Sequence, residues 1–179
     1  MNEEVTVNQS KTFPWGALAI YVVVVLGIAV YEVFLTDSMI PEGIDTESLA
    51  AFGVIGAIVG VIFLVIATAI QYAFIKFPTQ WVSKEEYVYK YDIWSALFYS
   101  GAIGAVINFI VGQLGYAENL ILGSVVSVIT TVVFLLFYFS GEEKESHIKR
   151  AIIIVRVAWL VIGIVLAIAI QTIGNNILL

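Results

Sequence analysis

Among the polar side chains inside the long apolar runs of this sequence are Glu32, Gln71, Asn108, Arg156 and Gln171. A carboxylate, a guanidinium and three amides in such surroundings can relay protons, bind a solute or tie helices together by hydrogen bonds. Depth separates these readings. Gln71 and Arg156 sit near one end of their runs, whereas Asn108, Gln171 and Glu32 sit nearer the other. The middle is left to residues such as Val24, Phe63, Ile103 and Ile164, and the nearest polar groups, Ser100, Ser127, Thr130 and Thr131, are neutral hydroxyls. A continuous polar path is therefore not expected. Glu32 lies about one turn from its end and Arg156 carries a long stem, so both are expected to reach toward the headgroups.

Catalytic chemistry has little support. The sequence has no HExxH metal motif, no GxSxG nucleophile elbow and no Walker-type phosphate loop. It has no cysteine, which excludes thiolate metal sites and thiol nucleophiles. The one histidine, His147, stands among Glu142, Glu143, Lys144, Glu145 and Lys149 and reads as a solvated loop residue. Asp92 stands where a helix should begin, and its charge there suits a cap favoured by the helix dipole. No catalytic residue, metal site or cofactor is expected, and the chain reads as a non-enzyme. The absence of a basic, aromatic-studded stripe excludes nucleic acid as a partner.

Small residues mark the helix-packing positions. Gly56 and Gly60 form a GxxxG, and Gly53, Ala57, Ala67 and Gln71 share their helical face. Gly101, Gly104, Ala105, Asn108 and Gly112 form a second stripe; Arg156, Gly163, Ala167, Gln171 and Gly174 form a third. Such stripes let backbones approach, so Gly56, Gly60, Gly101, Gly104, Ala105, Gly163 and Ala167 are expected to face other helices, with Asn108 buried against a neighbour.

The elements that must carry these residues span a membrane. Of the 179 residues, 61% are hydrophobic and 12% charged, too few polar residues to cover a soluble globule. Five segments reach the length of about 20 apolar residues that a bilayer requires: 13–35, 49–77, 92–114, 120–140 and 151–178. The prediction is an all-α integral membrane protein, a bundle of five transmembrane helices forming one domain over 13–179, preceded by a polar tail at 1–12. The first segment is too long for a signal-peptide core and is read as a retained helix.

Charge orients the bundle. With alternating spans, all eight basic residues fall on one face, and the other face carries Glu32, Asp37, Glu42, Asp45, Glu47 and Glu118 without a base. Lys and Arg are held on the cytoplasmic side, so the N-terminus is expected inside and the C-terminus outside, in a multi-pass protein of the cell membrane. On the inner face, Trp81, Tyr87, Tyr89, Tyr91 and Trp94 alternate with charges between two spans. These rings suit the membrane interface, or contact with a protein partner at the cytoplasmic loops.

The aromatic entry to the third span, YVYKYDIWSALFYSGAIG from Tyr87 to Gly104, and the polar hinge leading into the last, Gly141 to Ala167, resemble the Yip (Ypt-interacting protein) family of five-span membrane proteins. The third span lacks the proline often found there in that family. The resemblance implies a non-enzymatic protein whose eukaryotic relatives bind small GTPases and organise vesicle membranes. The leading expectation is a non-catalytic scaffold or accessory subunit, in contact with the lipid bilayer and a protein partner. The alternative is a small solute or ion permease acting as a homo-oligomer.

Overall fold

A computed structural model of the chain describes residues 12–35, 46–117 and 119–177. Among these residues the protein is all-helical: α1 (Trp15–Leu35), α2 (Thr46–Ser83), α3 (Lys90–Gln113), α4 (Leu120–Phe139) and α5 (Ser146–Ile177). All five are long and apolar enough to cross a membrane. At about 1.5 Å per residue even α4, the shortest, matches a hydrocarbon core of roughly 30 Å. Most of the polar tail, and Asp37, Glu42, Asp45 and Glu118 of the acidic face, lie outside the described residues.

Two helix boundaries differ from the sequence expectation, each for a local reason. α2 continues through Pro78 to Ser83, although the composition suggested a loop beginning at that proline. Proline has no N–H, so the carbonyl four residues earlier, on Phe74, loses its helical partner. The indole nitrogen of Trp159 on α5 donates to that carbonyl at 2.9 Å. A neighbouring helix thus satisfies the group that the proline exposes, which is how proline is tolerated inside membrane helices. α5 starts at Ser146, inside the polar stretch expected to be a loop, with Lys149 N–H already bonded to the Glu145 carbonyl.

The α3–α4 turn is short because its chemistry closes it. Gly115 has a φ of +79°, and the N–H groups of Gly115 and Tyr116 cap the carbonyls of Gly112 and Val111. Asn119 then accepts a bond at 3.1 Å from the Leu122 N–H and starts α4.

Contacts run in the order α1, α3, α4, α5, α2 and back to α1, so the helices close into a ring; α2 also touches α3 across it. One end of the ring is tight. Ile75, Val88, Ile93, Ala96, Leu97, Phe134, Tyr138 and Ile152 form a buried cluster there, and Ala17, Tyr21, Phe98 and Ala102 form a second beside it. These residues come from the first half of α1, α3 as far as its middle, the start of α5, the end of α2 and α4, and, with Val88, the α2–α3 loop, the end that also bears Lys84, Lys90, Lys144, Lys149 and Arg150. We call it the basic end. Toward the opposite end α1 and α2 lean on their neighbours less closely, and an open space is left between the helices.

Candidate functional site: a polar cavity within the helix ring

The space inside the ring is a cavity of about 920 Å³ with walls from all five helices. It gathers Glu32 from α1, Gln71 from α2, Asn108 from α3 and Arg156 from α5, with the hydroxyl residues Ser100 and Thr130 between them. Sequence depth suggested that these groups were too far apart for a common path. The ring changes that, because a shared lumen needs each side chain only on its inner wall. Gln113 near the end of α3 also lines it, and its position in the sequence gave no hint of this. Gln171 is exposed and is not on the cavity wall.

Arg156 lies at the junction of this cavity and a smaller cleft among α2, α4 and α5. Its guanidinium is held over the ring of the fully buried Phe134, 4.2 Å from the centroid. The side chain therefore rests inside the bundle, where a snorkelling arginine had been expected. Its Nε is buried and has no hydrogen-bond partner among the described residues.

The small-residue stripes divide into two kinds. A Cβ on Gly104 would meet Thr130 Cγ2 at 2.7 Å, and one on Gly101 would meet the Tyr21 ring at 3.0 Å, so α3 approaches α4 and α1 closely at these points. Gly56, Gly60 and Gly163 have no neighbour among the described residues within 4 Å of such an atom. For these three the expected helix contact is absent: Gly56 and Gly60 border an open groove between α1 and α2, and Gly163 borders the smaller cleft. Gly56 and Gly60 share one face of α2, as their spacing requires, but that face fronts the groove. Asn108 differs likewise, being exposed to the cavity where burial against a helix was expected. Ala105 and Ala167 are half-buried, Ala105 on the cavity wall.

At the basic end the aromatic stretch is largely internal. Trp94 stacks on Tyr72 at 4.5 Å and on Phe98 at 5.4 Å. Tyr89 donates its hydroxyl to the Glu143 carbonyl and holds a left-handed φ of 51°, fixing the entry to α3. Tyr91 is half-buried, with Lys90 over its ring, so Tyr87 and Trp81 are the two of the five aromatics that stay exposed. Beside Tyr89 lies an ion pair that the sequence did not announce. Lys144 is fully buried and contacts Asp92 at 2.8 Å, its ammonium also donating to the Glu142 carbonyl and lying 4.6 Å from the Tyr138 ring. Asp92 thus joins α3 to the α4–α5 loop, while Lys144 had read as one more charge in a solvated run.

His147 is brought to Glu85 at 3.1 Å and Glu145 at 3.3 Å. Among the described residues this is the one group of three metal-ligating side chains, all exposed. With the imidazole in contact with both carboxylates, it serves as a surface tie between the α2–α3 loop and α5.

Comparison with known proteins found no matching family model, no matching curated protein and no matching solved structure.

Proposed function

We propose that this chain is a non-catalytic, multi-pass membrane protein that admits a small polar or charged solute into its helix ring, as a permease does. One observation carries the reading: polar groups from all five helices line a single cavity. Polar side chains within membrane segments mark solute pathways, and a cavity of several hundred Å³ is the size that small ligands occupy. The cavity forms within one chain, so the reading does not depend on a homo-oligomer. By the distribution of bases, the basic end and the N-terminus face the cytoplasm and the C-terminus lies outside.

The test is uptake into sealed liposomes containing the purified chain, with a panel of small anions, cations and neutral polar solutes. Entry of at least one class is expected, strongly reduced by Asn108→Leu and unaffected by Trp81→Ala. A panel that stays outside, with protein shown to be inserted and folded, would count against the permease reading.

A scaffold or accessory role, as the Yip-like layout implies, is the second reading. It is favoured by an exposed aromatic ridge on α2, where Phe74, Phe77 and Trp81 follow one another at helical spacing and Trp81 is 89% exposed. Mild crosslinking followed by purification tests it. A protein partner that is retained by the native chain and lost with Trp81→Ala would move this reading to first place.

A further inference from the structure

We infer that the cavity takes its solute as an anion, a carboxylate or phosphate group held by Arg156; this deepens the permease reading and rests on it. The argument begins with charge. A guanidinium stays protonated in any protein environment, so Arg156 brings a full positive charge into the bundle. Burying a cation without a partner is costly, and proteins normally supply a counter-charge. This chain does so for the fully buried Lys144, setting Asp92 against it at 2.8 Å. No described carboxylate comes within ion-pair distance of Arg156, and its Nε lacks even a hydrogen-bond acceptor. The ring of Phe134 compensates one face of the guanidinium only, by a cation–π contact. The counter-charge is therefore left to whatever enters the cavity.

The surroundings agree with an oxyanion. The planar fork of arginine matches carboxylate and phosphate oxygens in pairs. Gln71 is exposed on the same wall and offers an amide N–H₂ as a further donor. Ser100 and Thr130 donate their hydroxyl hydrogens to the Leu97 and Ser127 carbonyls of their own helices, leaving oxygen lone pairs that suit water around a bound anion. A cationic solute would require an acid beside it, and the one described carboxylate on the wall, Glu32, stands near the far end of α1. The same oxyanion chemistry is carried by soluble anions and by anionic lipid headgroups, and the experiment separates them.

The chain contains two arginines, Arg150 and Arg156, which permits a test on the unaltered protein. The full chain is placed in nanodiscs of neutral phosphatidylcholine, treated with phenylglyoxal, and the adduct at each arginine is followed by peptide mass mapping. Inorganic phosphate should slow modification of Arg156 saturably, by about tenfold because a bidentate anion covers its terminal nitrogens, while exposed Arg150 reacts at an unchanged rate. Discs containing phosphatidic acid, without free phosphate, form the second arm. Protection by phosphate identifies a soluble anion, and protection by phosphatidic acid alone identifies a headgroup. Equal protection of both arginines, protection by neither anion, or an Arg156 that does not react at all would overturn the proposal. Labelling of Asn108→Cys by a hydrophilic maleimide reports separately on the cavity. If this cysteine reacts and Arg156 is not protected, the anion proposal alone fails; if the cysteine does not react, the permease reading fails with it.

Discussion

Gly141 has no side chain because Asp92 occupies the place where one would stand: an added Cβ would lie 2.5 Å from its Oδ2. Gly141→Ala is therefore expected to push Asp92 off Lys144 and to destabilise the chain by about 1–3 kcal/mol, as overpacking does. Denaturant or thermal unfolding in detergent measures this. Asp92→Asn should cost more, about 3–5 kcal/mol, since it strands a buried ammonium. The glycines on the small-residue stripes should separate in the same assay. Gly104→Leu would collide with Thr130 and is expected to lose folded protein, whereas Gly56→Leu projects into open groove and should stay within about 0.5 kcal/mol of the native chain. Equal losses at both glycines would show that the α1–α2 groove closes in the folded protein. The residue types and their helical faces were legible in the sequence; which faces met a neighbour was not, because a 3.6-residue period fixes direction around one helix and says nothing about the distance to the next.

Among the elements, α2 depends most on its partner. Its last turns run past Pro78 and leave the Phe74 carbonyl to Trp159 of α5. Trp159→Phe keeps the ring packed on Phe74 and removes the donor, so about 1–3 kcal/mol of stability should be lost. Pro78→Ala restores an N–H to that carbonyl from within α2, and in its presence Trp159→Phe should cost markedly less. A double-mutant cycle on unfolding free energies reads this coupling. Additive losses would mean that the indole bond and the proline are independent. The sequence offered one clue, a proline followed by aromatic and polar residues, and the ordinary reading of that clue was a helix end. Only a second helix with a donor at the correct height reverses it.

Across the whole molecule, packing is concentrated at the basic end, and the ring loosens toward the other. That gradient leaves room for a cavity while the large buried residues Phe98, Phe134, Tyr138 and Ile152 hold the helices together beneath it. The membrane orientation proposed from the bases can be tested residue by residue in a chain without native cysteine. Cysteines at Ser83 and Ser146 are expected to react with an impermeant thiol reagent only after cells are permeabilised, and those introduced at Ser38 and Glu118 should react from outside. Labelling of Ser83→Cys in sealed cells would reverse the assignment.

The sequence alone determined that the protein is built from five long apolar helices, because hydrophobic length and the placement of charges, glycine and proline depend only on local order along the chain. It also determined which residues share a helical face. The tertiary structure decided that the helices close into a ring, that Glu32, Gln71, Asn108 and Arg156 share one lumen, and that Lys144 lies buried against Asp92. Each of these depends on the separation and relative rotation of helices distant in sequence, which side-chain packing sets and residue spacing does not encode.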